Sequence, residues 1–403
     1  MVFILHFSSL NFSSALSLYS FMIDSYSVFM LFMLVVVMYT SFIASPSSDH
    51  LIIVLFSLFI PCFVVFCVDN YVLLYLSYEA SIIPILYIIV KWGSYPDRSL
   101  RAIMLIIYTS VFSLPFLYLL YYAFSFNNTF SIIPISLFNL LPQHSLSVFC
   151  VFIVFAVKLP IYGAHFWLPI AHVEAPTCGS IILAGVLLKL GGLGLIRFRS
   201  LVNLLQLNSY ILSYLLFFLV FSTLVCCFQS DFKRLVAYSS ISHMIAIPFL
   251  LLVASKFSFS TITLLIFFHG LSSPLLFMLV GSIYSIYSTR QLPLVRGLAL
   301  LSPLLSFILV LAFFFTLSAP PFPSFLSEVF FFLSSYSLTP YFLVSLILFA
   351  FFSLVYNLNW LTSTLFYSPL PVQNSFNLSY SVVLVSFIYI ALAVLALILV
   401  SFF

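Results

Sequence analysis

Four ionisable side chains lie inside strongly apolar runs of this sequence: Glu79, Lys158, Lys189 and Glu328. A charged group at the middle of a membrane helix costs roughly 2.5 to 3.5 kcal/mol on insertion scales. Without partners, the four would therefore cost on the order of 10 kcal/mol, about the whole stability of an ordinary domain. Each of the four must therefore have a partner, be hydrated or serve a function. Amines and carboxylates in an apolar medium are the groups that a proton relay needs.

Both lysines lie well inside predicted helices. Lys158 follows an apolar run, and about eleven residues, roughly 16 Å of helix, separate it from the near end. It is either a functional lysine near mid-membrane or a lysine that extends its ammonium to the headgroups. Lys189 is flanked by glycines that permit close helix contact. Because an ammonium in apolar surroundings gives up its proton more readily than in water, a carboxylate that moves can control that proton.

The carboxylates supply one acid for each half of the chain. Glu79 is the natural partner of a lysine in the first half, and Glu328 is the acid of the second. A moving pair suits proton transfer, whereas a static buried salt bridge stabilises weakly at best. For Glu79 both interpretations stay open.

Four histidines complete the candidate set. His243 and His269 lie between Lys189 and Glu328 in the chain, where a relay needs titratable stations. A lone histidine on an apolar face is also often a hydrogen-bonded core residue, so both interpretations stay open. His165 and His172 flank a predicted helix break, where we expect access to water.

Composition excludes a soluble globular chain. Of 403 residues, 65% are apolar and 5% charged, with a mean hydropathy of +1.31, whereas soluble domains are roughly 25% charged. Runs such as 51–68 and 382–400 are apolar on every side, which favours helices over a β-barrel. We therefore predict an all-α polytopic membrane protein in contact with membrane lipids.

Several classes of partner and cofactor are not expected. The net charge of +4 is small and scattered, so nucleic acid is not an expected partner. The six cysteines form no CxxC motif, and no nucleotide-binding, flavin or haem motif is present. We expect no metal and no cofactor in this chain, which can move protons but has nothing to supply the energy.

At about 20 apolar residues per crossing, the sequence predicts about 13 transmembrane helices. These segments are about 5–22, 28–44, 51–68, 71–91, 103–124, 147–173, 178–197, 208–228, 236–254, 260–284, 299–336, 340–361 and 381–402. Alternating loops then place seven basic residues on one side, with three on the other, as the positive-inside bias requires. The seven are Lys91, Arg98, Arg101, Lys233, Arg234, Arg290 and Arg296, and the three are Arg197, Arg199 and Lys256.

Two long segments contain proline at matching places. Breaks are predicted at Lys158 to Pro160 and at Ser318 to Pro321, each in the fourth helix of a five-helix block. An odd number of crossings inverts the second block, so 51–197 and 208–361 are predicted to be two inverted repeats, each a proton half-channel. Residues 1–50 and 362–403 then form amino-terminal helices and a carboxyl-terminal loop and helix.

The stretch from Val157 to Pro176, with Gly179-Ser180 and Leu187 to Gly192, resembles the chain 4 family of NADH:ubiquinone oxidoreductase, antiporter-like subunits in the membrane arm of respiratory complex I. The segment Gln229 to Met244, then His269-Gly270-Leu271 and Ser327-Glu328, continues the match in order. A lysine-based motif in the seventh segment, in place of a histidine-led one, separates it from the sister chain 5 family.

The resemblance implies fourteen helices in two inverted repeats with discontinuous fourth helices. It also implies roles: Glu79 and Lys158 as the coupled pair, Lys189 as the central station, His243 and His269 as relays, and Glu328 as the terminal acid. The amino end, residues 1–50, is expected to be shortened by about one family helix.

The same resemblance implies an enzyme subunit without its own redox site, in the mitochondrial inner membrane. NADH, FMN, iron–sulfur clusters and ubiquinone would be bound by other complex I subunits, and chains 2 and 5 would be neighbours. No Lys or Arg precedes Lys91, so neither a basic signal nor an Arg-rich transit peptide is expected. A cation/proton antiporter subunit and a purely structural membrane subunit remain the alternatives.

Overall fold

A computed structural model describes residues 24–45, 48–94, 96–127, 145–199, 209–253, 255, 257–320, 322–336, 340–368 and 380–402. These residues form helices joined by short loops. In chain order the helices are α1 (Ser25–Ile43), α2 (Asp49–Cys67), α3 (Tyr71–Ala80), α4 (Ile82–Trp92), α5 (Arg98–Asn127), α6 (Ser145–Lys158), α7 (Trp167–Glu174), α8 (Thr177–Ile182), α9 (Leu188–Arg197), α10 (Ser209–Cys227), α11 (Phe232–Val253), α12 (Ser258–Tyr287), α13 (Leu298–Leu301), α14 (Pro303–Thr316), α15 (Ser324–Tyr336), α16 (Pro340–Leu365) and α17 (Tyr380–Phe402).

The all-α membrane prediction is confirmed. In the described residues, nine helices or helix pairs are long and apolar enough to cross a membrane, and shorter apolar helices lie at Val148–Lys158, Pro303–Thr316 and Val382–Leu392. The first predicted segment, 5–22, lies outside the described residues. The number of crossings and the division into 1–50, 51–197, 208–361 and 362–403 therefore stay predictions, as does the inversion of the repeats.

Both predicted breaks are present. α6 ends at Lys158 and α7 begins only at Trp167, with Pro160 between them. α14 ends at Thr316 and α15 begins at Ser324. Because proline has no N–H to donate and its ring meets the carbonyl four residues earlier, neither helix continues through it.

Two further irregularities were not predicted. Ser81 separates α3 from α4, because Pro84 has no N–H to bond the Ala80 carbonyl. A π-helical turn, Leu183–Leu187, joins α8 to α9, with the Leu188 N–H bonded to the Leu183 carbonyl. Both irregularities adjoin an ionisable residue, Glu79 in the first and Lys189 in the second.

Three crossings form the interior of the bundle. In their most apolar stretches, the buried share is 100% for Thr177–Arg197, 89% for Ser258–Tyr287 and 78% for Phe232–Val253. By contrast, it is 28% for Arg98–Tyr121 and 22% for Phe342–Leu365. The interior crossings carry Lys189, His269 and His243, so these side chains lie along the centre of the bundle.

α9 packs against the last turns of α6 through glycine. A Cβ at Gly191 would lie 2.9 Å from the Phe155 carbonyl oxygen and 3.2 Å from the Leu159 nitrogen. At Gly194 it would overlap the Phe155 ring. The absence of a side chain thus lets the two helices approach where α6 delivers Lys158.

We expect Gly191→Ala to lower the free energy of unfolding by about 1 to 3 kcal/mol, because the new methyl meets backbone atoms of α6. Gly192→Ala is the matched control. There, the new methyl meets the flexible end of Ile266, with Cδ1 at 2.8 Å. Denaturant titration of both variants in detergent checks this, and equal losses would contradict the close backbone contact.

Candidate functional site

Glu79 and Lys158 form a pair at mid-bundle, as predicted. The Lys158 ammonium lies 4.0 Å from Glu79 Oε1 and donates to the Tyr78 carbonyl at 3.1 Å. It also lies 2.8 Å from the centroid of the Tyr78 ring. Lys158 is buried, with 6% of its surface exposed, so its ammonium is not extended to headgroups. The carbonyl that receives it belongs to the helix turn interrupted at Ser81.

Lys189 is completely buried and has two partners. Its ammonium donates to the Ala184 carbonyl within the π-helical turn and lies 2.9 Å from His269 Nδ1. The π-helical turn shifts the backbone bonding by one residue, which is a frequent feature of functional sites. A Cβ at Gly270 would overlap the Met33 sulfur of α1, so glycine here lets α1 pack closely beside Lys189.

The two relay histidines are neighbours. The rings of His269 and His243 have centroids 5.6 Å apart. His269 therefore contacts Lys189 on one side and His243 on the other. The structure joins three of the predicted residues into one row across α9, α12 and α11.

This row opens into a cavity that Glu328 also lines. Six serines and a threonine contribute to its wall: Ser239, Ser272, Ser273, Ser318, Ser324, Ser327 and Thr316. About 40 Å³ is open to the centres of water-sized molecules, and a water needs ~10–15 Å³. Several waters fit, and they would find partners in the hydroxyls and in the Glu328 carboxyl.

The hydroxyls are suited to receive water. Ser273 donates to the His269 carbonyl at 2.8 Å, and Ser324 donates to the Phe315 carbonyl at 2.7 Å. A hydroxyl that donates to the backbone keeps lone pairs for accepting a water proton. Ser318, which has a hydrogen bond to Glu328, has a φ of 53°, an uncommon value for a residue other than glycine.

Within the described part of the chain, no hydrogen bond or ion pair joins Lys158 to Lys189. The two lysines are connected through packing, because Gly191 of α9 lies against the last turn of α6. Proton transfer between them therefore requires water or a change in conformation.

His165 and His172 are more buried than expected. His165 is 1% exposed and stacks on Tyr162 with ring centroids 4.1 Å apart. His172 is fully buried, stacks on Phe277 at 4.4 Å, and has no hydrogen-bond partner at either ring nitrogen. Aromatic rings cover both side chains, and access of water to them stays a prediction.

The sequence reasoning missed a cationic cluster at the carboxyl end of α7, in which Lys233 and Glu174 are buried and the two arginines are half-buried. Arg290 donates to the Val173 carbonyl at 3.1 Å, Arg101 pairs with Glu174 at 2.5 Å, and Lys233 donates to the Ala175 carbonyl at 2.9 Å. Cations at a helix carboxyl end satisfy its last carbonyls and its dipole. Three cations from three separate elements thus hold three consecutive residues.

Lys233 corrects the segment prediction. We predicted it in a loop, with Lys158 and Lys189 as the only bases inside spans, but it lies in the first turn of α11 and is 3% exposed. The helix begins at Phe232, not 236, because charged residues in a first turn lower local hydropathy without preventing a helix. The signal available in the sequence was Glu174, an acid beside a proline break.

The side of the membrane on which each basic residue lies stays a prediction. Arg101, Lys233 and Arg290 meet at one end of the bundle, and Arg290 also reaches Ser94. Arg197 donates to the Phe66 carbonyl at 2.8 Å, with Arg199 over the Phe259 ring nearby in the chain.

The arrangement consists of groups that can hold and pass protons. Among the residues described, no three or more histidine, cysteine or acidic side chains meet in a way that could hold a metal ion. The site contains the Glu79–Lys158 pair and the row of Lys189, His269 and His243. It also contains the cavity that hydroxyl groups and Glu328 line.

The sequence of this chain is similar to those of known proteins. Residues 68–353 match the family model described as NADH:quinone oxidoreductase/Mrp antiporter, TM. The chain is 35% identical over 330 residues to NADH-ubiquinone oxidoreductase chain 4 of Lumbricus terrestris, covering 80% of this chain and 72% of the other. It is 37% identical to the chain 4 protein of Struthio camelus over 270 residues, 66% of this chain and 59% of that one.

The fold is similar to that of a chain in a solved structure of respiratory complex I from Thermus thermophilus with bound NADH. The TM-score is 0.85 at 20% identity, over 99% of this chain and 91% of the other. At this identity the likeness bears on the fold, and it extends over nearly the whole chain.

We expect Glu174→Gln to lower the free energy of unfolding by roughly 3 kcal/mol, because it leaves Arg101 facing a neutral group at a buried site. Asp97→Asn is the matched control. Asp97 pairs with the same arginine at 3.7 Å but is 63% exposed, so we expect a loss below about 1 kcal/mol. Denaturant titration in detergent measures both, and similar values would show that the buried pair is not structural.

Proposed function

This chain belongs to the NADH-ubiquinone oxidoreductase chain 4 family, within the wider family of NADH:quinone oxidoreductase and Mrp antiporter membrane subunits, and from that premise we propose that it translocates protons as a core membrane-arm subunit of complex I. The observation that carries the proposal is the row from Lys189 through His269 to His243, which opens into the cavity lined by Glu328.

The first step is a change in the Glu79–Lys158 pair. At 4.0 Å the carboxylate offsets the charge of the ammonium. When the carboxylate moves away, the ammonium is left in an apolar site without a counter-charge, and protonated Lys158 becomes a proton donor. The proton passes towards Lys189 by water or by a conformational change, since no direct bond joins the two lysines.

The second step runs along the histidines. Lys189 shares a proton with His269 Nδ1 at 2.9 Å, and His269 with His243. Water in the cavity then carries the proton to Glu328, the terminal acid. His165 and His172 are further candidates, of which His172 has two buried ring nitrogens free to take a water or a proton.

Energy must come from outside the chain. Moving one proton against the membrane potential costs about 2.3 kcal/mol per 100 mV. We propose that NADH oxidation and ubiquinone reduction, carried out with FMN and iron–sulfur clusters in other complex I subunits, supply it, and that this chain has no redox site. Chains 2 and 5 are the proposed neighbours, and the mitochondrial inner membrane is the proposed location.

One alternative is a cation/proton antiporter subunit, which the shared family with Mrp antiporters supports. Vesicles containing this chain without NADH-oxidising partners would then exchange sodium for protons. The other alternative, a structural subunit, predicts that removing a buried charge damages assembly while surviving complexes turn over normally.

In the assembled complex, we expect Lys158→Met to lower NADH-driven proton pumping and quinone reduction together by roughly tenfold or more, since a positioned proton-transfer group contributes ~10²–10⁴-fold. Proton uptake into inverted vesicles and NADH:quinone turnover are measured in parallel. Assembly should persist, because methionine fills the space of the lysine stem, and the Glu79 side chain that loses its partner is 27% exposed and can be hydrated.

Lys91→Met is the control for loss of a lysine. Lys91 lies at the end of α4, is exposed, and has its ammonium 4.8 Å from the Trp92 ring. Its loss should leave pumping and turnover within about twofold of the unaltered complex, since it belongs to no relay. Normal pumping in Lys158→Met, at normal assembly, would refute the proposed function.

A further inference from the structure

The last turn of α6 ends with a carbonyl that lacks its helical partner. In a continuous helix, the Ile161 N–H would bond the Val157 carbonyl, but it bonds the Ala156 carbonyl instead, at 3.1 Å. Val157 precedes Lys158 and is buried. A buried carbonyl without a partner is costly in a membrane, so something else has to bond it.

The Trp167 side chain fills this role. Its indole Nε1–H donates to the Val157 carbonyl at 3.2 Å across the eight-residue break. Trp167 is the first residue of α7 and is 5% exposed. The bond therefore ties the second half of the broken helix directly to the turn that carries Lys158.

The opposite end of α7 is also held. Its last residues and the one that follows are bonded by Arg290, Arg101 and Lys233. Eight residues of α-helix span about 12 Å. α7 is thus a short rod fixed at one end by the cationic cluster and at the other by the indole.

We propose that Trp167 is a positioning residue for Lys158: its indole N–H holds the last turn of α6 so that the ammonium stays against Glu79 and Tyr78. This rests on the proposed function for its consequence, but the bond itself is independent of it. When the indole N–H is absent, the turn loosens and the geometry of the Glu79–Lys158 pair is lost.

The chain offers matched variants for a test. Trp167→Phe removes the N–H donor and keeps an aromatic ring, whereas Trp167→His loses the six-membered ring but can place an N–H at the same distance from Cβ. Trp360→Phe is the control, since Trp360 is equally buried but its Nε1 has no partner among the described residues. All are made in the complete chain within the assembled complex.

Amide hydrogen exchange measures whether the bond from the Trp167 indole to the Val157 carbonyl stabilises the last turn of α6. In Trp167→Phe we expect the Leu159 and Ile161 amides, which bond Phe155 and Ala156, to exchange about fivefold faster or more. Trp167→His and Trp360→Phe should stay within about twofold of the unaltered complex. Unchanged exchange in Trp167→Phe would overturn the proposal, whatever Lys158 does.

Turnover tests whether the indole acts through Lys158. We expect Trp167→Phe to lower NADH-driven quinone reduction at least threefold alone, but to add no loss in a Lys158→Met background, because residues that act as a unit are not additive. A full further loss on that background would assign Trp167 a separate role and overturn the proposal. If Lys158→Met itself is silent, the proposed function fails, while the exchange result still decides the bond.

The third measurement is whether the complex assembles with Trp167→Phe and with Trp167→His. If Trp167→Phe prevents assembly but Trp167→His permits it with protected amides, the donor is what the site requires and the proposal holds. If both variants prevent assembly equally, the bulk of the indole is what matters and the proposal is wrong.

Discussion

The structure depends on one constraint: in an apolar medium, every buried charge and every freed backbone carbonyl has to find a partner. The two requirements are met by the same contacts. Lys158 donates to the Tyr78 carbonyl beside the interruption at Ser81, and Lys189 donates to the Ala184 carbonyl inside the π-helical turn. Each buried lysine thus finds a carbonyl acceptor at a helix irregularity.

The same constraint explains where the helices break. A proline in a membrane helix leaves a carbonyl without a donor. At the first broken crossing the Trp167 indole donates to the Val157 carbonyl, and at the second the Phe315 carbonyl accepts from both the Ser318 N–H and the Ser324 hydroxyl. Breaks are tolerated only in the interior, where such donors can reach them. The charged residues lie at the same places, since only there are polar partners already concentrated.

Sequence reasoning found what is encoded locally and missed what depends on contacts between distant segments. The cost of burial identified Glu79, Lys158, Lys189 and Glu328, and proline predicted both long breaks. The breaks are present, Glu79 lies 4.0 Å from Lys158, and Glu328 lines the cavity, while the roles of these residues stay predictions. The break at Ser81 was also readable, since Pro84 lies three residues later, but a continuous apolar run concealed it. The π-helical turn was not predicted either: its one poor α-helix former, Gly185, is a type of residue that membrane helices commonly contain.

The cationic cluster was missed for a different reason. Glu174, Lys233 and Arg290 are each ordinary at the end of a span, where charges are common. Their burial results from α5, α7, α11 and the loop after α12 meeting at one point, which no local pattern encodes. The relay roles of His243 and His269 were implied by the family resemblance. The contact that connects His269 to Lys189 is the 2.9 Å distance between the ammonium and Nδ1, which only the structure provides.

The relation between the two lysines follows from the geometry of α9. Gly191 follows Lys189 by two residues, which is about 200° around a helix, so they lie on opposite faces. The glycine face contacts the last turn of α6, and the lysine faces His269 on α12. Since the glycine contact is backbone against backbone, it has no flexible side chain to absorb movement. A displacement of the Lys158 turn therefore has to move α9, and with it the contact between Lys189 and His269, although no bond joins the two lysines.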